Sequence, residues 1–322
     1  MYGQHFGFAR PLFSDGMTQD EAVFRTAATQ QLATDLEVAL TRKDSVAILA
    51  GLSGTGKTTI ASDAIKGIGT RLAFACISQP PLTAHELLEQ LLTDFGFEPY
   101  KKSRVERLQQ WRQFMSEMTA TDTRVCLLIE NAEQLDGEVL RALHNLTAAD
   151  AAHSPGANVV MTTIASPDSL LTAPELQAFR QRVRLRRSIE PLSQAEIEDY
   201  LEFKCQFANA DSARIFDARV ASVLHDYSAG ILRVIDSLLE TSLISAAANN
   251  ETMVTAERLA RVAEEQFGMT NMVPADVDAL LDTSPTNPTA AEPDVGDIPT
   301  LTDYVSGPSD EYCQNIAMGH RS

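Results

Sequence analysis

Eight residues, Gly51-Leu52-Ser53-Gly54-Thr55-Gly56-Lys57-Thr58, fit G-x-x-x-x-G-K-[ST] at every fixed position. The apolar run Val46 to Ala50 leads straight into them. Glycines let the backbone turn sharply and bring its N–H groups onto phosphate oxygens with no Cβ in the way. Lys57 supplies an ammonium for the outer phosphates, and Thr58 offers a hydroxyl to Mg²⁺. With Thr59 opening the next helix, the stretch from Gly51 onward is the expected nucleotide cradle. A chance glycine-rich turn is the bland alternative, and the length and placement of the match weigh against it. The chain is expected to bind a nucleoside triphosphate with Mg²⁺.

Such a loop needs a strand before it and a helix after it. Thr59 to Gly67 reads as that helix, and four more short strands are expected at Leu72–Ile77, Val125–Ile129, Val159–Ile164 and Val183–Ile189. Helical patterns separate them: Ala84 to Phe95, Val105 to Met118 and Gly137 to Leu146. Strands alternating with helices imply a parallel sheet covered on both faces. Beyond Pro191 the chain reads as helical throughout. Ser193-Gln194-Ala195-Glu196 is a capping-box signature, and further helices are expected over 217–227, 231–248 and 255–267. The expected domains are 1–190 (α/β, with its N-terminal segment 1–44), 191–268 (helical) and 269–322 (a Pro/Asp-rich tail). The tail holds too little apolar surface to offset chain entropy and is expected to be mostly disordered.

The net charge of −18 argues against a broad electrostatic grip on nucleic acid, although nine acids and one base fall after Met269. Cys76, Cys126, Cys205 and Cys313 are far apart, the pattern of reduced thiols without a zinc site or disulfide framework. The six histidines form no ligand spacing. With no apolar run of membrane-spanning length and no leader pattern at Met1-Tyr2-Gly3-Gln4-His5, a cytoplasmic protein without membrane insertion is expected.

Several further pieces occur in a fixed order. They are Tyr2-Gly3 with Phe6-Gly7-Phe8 and Pro11, Leu127 to Ala132, Leu140 to Leu146, Ala165 to Leu170, Phe179 to Val183, Pro191-Leu192-Ser193 and Tyr227 to Ile235. In this order and spacing, with the phosphate loop, the chain resembles the ExeA-type (general secretion pathway protein A) group of AAA+ ATPases over roughly residues 1 to 267. The resemblance implies an α/β fold: a parallel five-stranded P-loop NTPase sheet with helices on both faces, then a small all-α lid. It also implies ATP and Mg²⁺ as ligands and a homo-oligomer.

In such ATPases the third strand ends in Asp-Glu, the Asp holding the magnesium water shell and the Glu polarising the attacking water. Here Glu130-Asn131 stands in that place. Glu130 keeps a carboxylate for the metal, but the Asn131 amide cannot accept a proton at neutral pH. Asn131 can orient a water, as a Gln does in some GTPases. Glu133 is a substitute base of lower rank than a solvated acid at a helix start. The resemblance places a γ-phosphate sensor among Thr162, Thr163 and Ser166, with Thr163 a weak choice and a buried β-branched residue an equal reading. It places an arginine finger for a neighbouring subunit at Arg180 or Arg182, with Arg182 modestly favoured over a solvated or partner-binding basic face. Arg233, after Gly230 but with Leu232 where the family has proline, corresponds to the lid arginine that touches the phosphates.

The expected function is an ATP-binding switch or slow ATPase that couples nucleotide state to self-assembly and to a protein partner, in secretion, pilus or surface-polymer assembly. One rival is a DNA-binding regulator of the transposition type, using Lys101, Lys102, Arg104, Arg107 and Arg112 as a basic stripe. Another is a non-hydrolysing ATP-loaded scaffold with the acidic tail as a docking arm.

Overall fold

The computed structural model describes residues 2–13, 23–69, 71–100, 102–149, 156–168, 172 and 177–270. The tail beyond 270, Lys101, His153 and Cys313 lie outside them. Five parallel strands form one sheet: β1 (Val46–Ala50), β2 (Leu72–Ile77), β3 (Arg124–Ile129), β4 (Asn158–Thr163) and β5 (Val183–Ser188), in the order β2-β3-β4-β1-β5. This is the parallel α/β sheet read from the sequence. Alternate residues along β1 enter separate cores, as a sheet covered on both faces requires. Val46 and Ile48 face the helices α4 (Ala84–Asp94), α5 (Arg104–Ala120) and α6 (Gly137–Thr147). Ala47 and Leu49 face α2 (Ala27–Thr41) and α3 (Lys57–Gly67). The chain leaves β1, which lies between β4 and β5, toward β2 at the far edge and later reaches β5 on its other side. This arrangement opens a crevice at the carboxyl ends of the strands.

Local signals fix the element boundaries. Ser103 and Glu106 cap α5 reciprocally, and Ser193 and Glu196 do the same for α8 (Gln194–Phe207), the capping box expected there. Helix α3 starts two residues earlier than the sequence suggests. Gly56, at φ 87°, is the last non-helical residue, so Lys57 itself opens the helix. Strand β4 stops one residue early because Thr163 Oγ1 accepts a hydrogen bond from Ala165 N at 2.9 Å and turns the chain. α1 (Tyr2–Phe6), α2, the short α7 (Gln177–Arg182) and α9 (Ser212–Ile215) were not anticipated.

A separate core joins α8, α10 (Val220–Ser228), α11 (Leu232–Ala248) and α12 (Ala256–Phe267), with Leu238, Leu239, Leu243 and Leu259 fully buried. The first residues of the chain belong to this core and not to the sheet, which differs from the expected grouping of 1–44 with the α/β layers. Leu12 is buried in it, Ala9 N donates to Ala208 O at 3.0 Å, and Phe24 packs edge-on against Tyr200. The next residue, Arg25, pairs with Asp63 on α3, so this segment bridges the helical unit and the phosphate-loop helix. Among the described residues, Cys76, Cys126 and Cys205 form no disulfide, and no helix is long and apolar enough to cross a membrane.

Candidate functional site

The site is assembled at the carboxyl ends of β1, β3 and β4. Gly51 leaves β1 with its N–H donating to Thr163 O at 3.1 Å, which ties the phosphate loop to β4. A Cβ on Gly51 would stand 2.6 Å from Ile189 O, so only glycine fits against the β5 exit. Thr55, buried, donates its hydroxyl to Leu52 O at 2.9 Å and closes the loop on itself. Gly54 and Gly56 hold positive φ, which lets backbone N–H groups converge as an anion nest.

Lys57 is only 8% exposed, and its Nζ donates to Gly51 O and Leu52 O, both at 2.8 Å. Burial lowers its pKa to about 8, countered by the carboxylates of Glu133 and, less, Glu130, and reinforced by Arg233. A desolvated ammonium beside a glycine nest is a strong attractor for a polyanion. Thr58 hydrogen-bonds to Glu130, whose pKa is raised first by burial and lowered less by Thr58 and by Cys76, the thiol of which lies 3.7 Å from Oε1. Hydroxyl and carboxylate side by side form a hard oxygen set that suits Mg²⁺. The loop, Lys57 and this pair therefore fit a magnesium-bound triphosphate.

The helical unit meets the loop directly. Arg233 N donates to Gly54 O at 3.2 Å, and a Cβ on Gly54 would lie 2.8 Å from Arg233 Cβ and 3.0 Å from Ile231 Cγ2. Arg233 is exposed, yet its charge acts on both Lys57 and Glu130. Gly230, at φ 77°, sets this approach, since a Cβ there would stand 2.1 Å from Leu192 O. The glycine–arginine pattern thus brings Arg233 to the loop without the family's proline.

Asn131 follows β3 in the left-handed region, at φ 52°, a conformation Asn tolerates better than most residues. It makes no side-chain cap to the short 3₁₀ turn Ala132–Gln134. That turn carries Glu133 back over the end of β4, where Oε2 accepts from Ile164 N at 3.3 Å. Glu133 thus lies beside the phosphate loop, with its carboxylate acting on Lys57. Thr163 is fully buried, with its hydroxyl committed to Ala165 N, whereas Ser166 is exposed.

Two expectations are corrected. Arg182 is no free finger. It is 7% exposed at the amino ends of the strands, with Nε 2.5 Å from Asp44 Oδ1, Nη1 donating to Thr147 Oγ1 at 2.9 Å and Nη2 to Ala157 O at 3.0 Å. Its guanidinium is fully occupied in tying α6, β1 and β4 together. The basic stripe also loses a member. Arg107 is buried, donates to Pro99 O at 2.9 Å and contacts His85, while Arg104 and Arg112 are exposed.

The chain matches the model of an AAA domain over residues 40–171. It is 27% identical over 271 residues to General secretion pathway protein A of Aeromonas hydrophila, covering 84% of this chain and 49% of that protein. The chain therefore spans about half the length of this curated relative. Among solved structures, the ORC2 protein of Aeropyrum pernix superposes with a TM-score of 0.61 at 12% identity, over 81% of this chain and 73% of that one. Cdc6p from Pyrobaculum aerophilum gives 0.60 at 15% identity, over 87% and 88%. At such identities these structures speak for the fold alone. Taken with the phosphate loop and the β2-β3-β4-β1-β5 sheet, the sequence likenesses support an AAA+ ATPase of the ExeA type.

Proposed function

We propose that this chain is a cytoplasmic AAA+ ATP-binding protein that hydrolyses ATP slowly and couples its nucleotide state to self-assembly and to a protein partner. The observation that carries the reading is an otherwise assembled site in which Glu130-Asn131 replaces Asp-Glu. Lys57 and the loop amides bind and orient the triphosphate, and Thr58 with Glu130 would hold the metal. Magnesium, when bound, neutralises charge on the outer phosphates. Arg233 reports the phosphates to the helical unit, which acts as a lid over residues 191–268. Likeness to General secretion pathway protein A, by that protein's name, supports a place in secretion. The DNA-binding alternative has less support, because Arg107 is spent inside the α4–α5 pair.

Two variants test this reading. Asn131→Glu restores a group able to accept a proton, and ATP turnover should rise by about tenfold or more. A natural protein that is already fast, with a variant no faster, would refute slow hydrolysis. Arg233→Ala should lower turnover by about tenfold and change MgATP affinity less, since the arginine acts through lid position as well as charge. Equal turnover in the two proteins, measured by phosphate release, would remove Arg233 from the site.

A further inference from the structure

Asn131 leaves the site without a base at the usual position, and the structure offers a carboxylate three residues on. The left-handed Asn131 and the 3₁₀ turn after it fold Glu133 back over the end of β4. There its Oε2 takes the N–H of Ile164 at 3.3 Å, and no group among the described residues donates to Oε1. Ile164 directly follows Thr163, whose carbonyl holds Gly51 N of the phosphate loop at 3.1 Å, so Glu133 is one backbone step from the nest. Its charge is the largest favourable one acting on the Lys57 ammonium, ahead of Glu130. Glu130 is the poorer base, because it is already bonded to the Thr58 hydroxyl and the Cys76 thiol on the metal side.

We propose that Glu133, and not Asn131, is the catalytic residue that takes the proton of the attacking water. The proposal rests on the reading of the site as an ATPase. In the step, the water oxygen bonds to the γ-phosphorus as the bond from that phosphorus to its bridging oxygen breaks. The bridging oxygen leaves on ADP with the bonding pair. One water proton passes to the Glu133 carboxylate and from there to solvent, leaving ADP and inorganic phosphate. The longer reach through a 3₁₀ turn accounts for the slow turnover proposed above, since a base helps in proportion to its placement.

The test compares the full chain with Glu133→Gln, Glu133→Asp and Asn131→Ala, using calorimetry with MgATP, melting temperature and phosphate release. Glu133→Gln should bind MgATP within about threefold of the natural protein and melt with it, yet lose about 100-fold in turnover and retain its ATP uncleaved. Glu133→Asp should fall between the two, and Asn131→Ala should change turnover by less than about threefold. Turnover by Glu133→Gln close to that of the natural protein would overturn the proposal. So would an equal loss in Asn131→Ala, or a loss of MgATP affinity as large as the loss of turnover. Failure of the natural chain to bind MgATP would bring down the ATPase reading itself, an outcome distinct from these.

Discussion

Lys57→Ala should lose MgATP affinity by two to three orders of magnitude, about 3–4 kcal/mol, and with it all measurable hydrolysis. The ammonium is buried beside the glycine nest, where attraction to phosphate is screened far less than at the surface. The unliganded fold should tolerate the change. Burial already disfavours the charged form, holding the pKa at about 8, so removing the charge relieves a desolvation cost while giving up two bonds to loop carbonyls. The same shift sets a pH window. A bound polyanion raises the lysine pKa, so the bound state keeps a proton that the free state loses above pH 8. Affinity for MgATP should therefore be level below pH 8 and decline above it, by up to about tenfold per unit. Calorimetry across pH 6.5 to about 9.5 reads both effects. An unaltered affinity in Lys57→Ala would dismiss the nucleotide site altogether.

Arg182→Ala should destabilise the fold by about 3–5 kcal/mol, because it strands a desolvated partner. Burial is the leading influence on both members of the pair, raising the Asp44 pKa and lowering that of Arg182, so their mutual attraction offsets a shared cost. Truncation leaves Asp44 without its counter-charge, and the Thr147 and Ala157 carbonyls lose their donors. A chain of this size should then melt on the order of 10 °C lower. A finger acting on a neighbour's nucleotide would behave otherwise: a normal melting curve with lost assembled turnover. That second pattern would return Arg182 to the expected role.

β1, β3 and β4 were legible because each is a short apolar run bounded by turn residues and buried on both faces, whereas the edge strand β5 exposes Arg184, Arg186 and Arg187 and was legible only by its place in the alternating order. The phosphate loop was legible because its function lies in consecutive residues. α2 escaped because its buried positions, Leu32, Leu36 and Leu40, alternate with Thr and Ala that blur the helical period. The placement of Glu133 was not legible for a different reason. Its approach to β4 depends on one left-handed residue, a conformation that residue spacing does not disclose. The Arg182 role hinges on Asp44 and Thr147, which only the closing of the sheet brings together. The aromatic residues near the start, Phe6, Phe8 and Phe24, show no strand or helix period, and their partners stand some two hundred positions along the chain.

That early segment has a practical bearing on how the molecule is handled. Because Tyr2, Phe8 and Leu12 are seated on the helical unit, anything fused at the amino end travels with that unit instead of with the sheet. A bulky purification handle there would load the helical unit, and Arg25 would pass the burden to α3 through Asp63. A small fluorophore at the same place would act as a pointer, reporting any shift of the helical unit against the phosphate loop without touching the residues that form the loop.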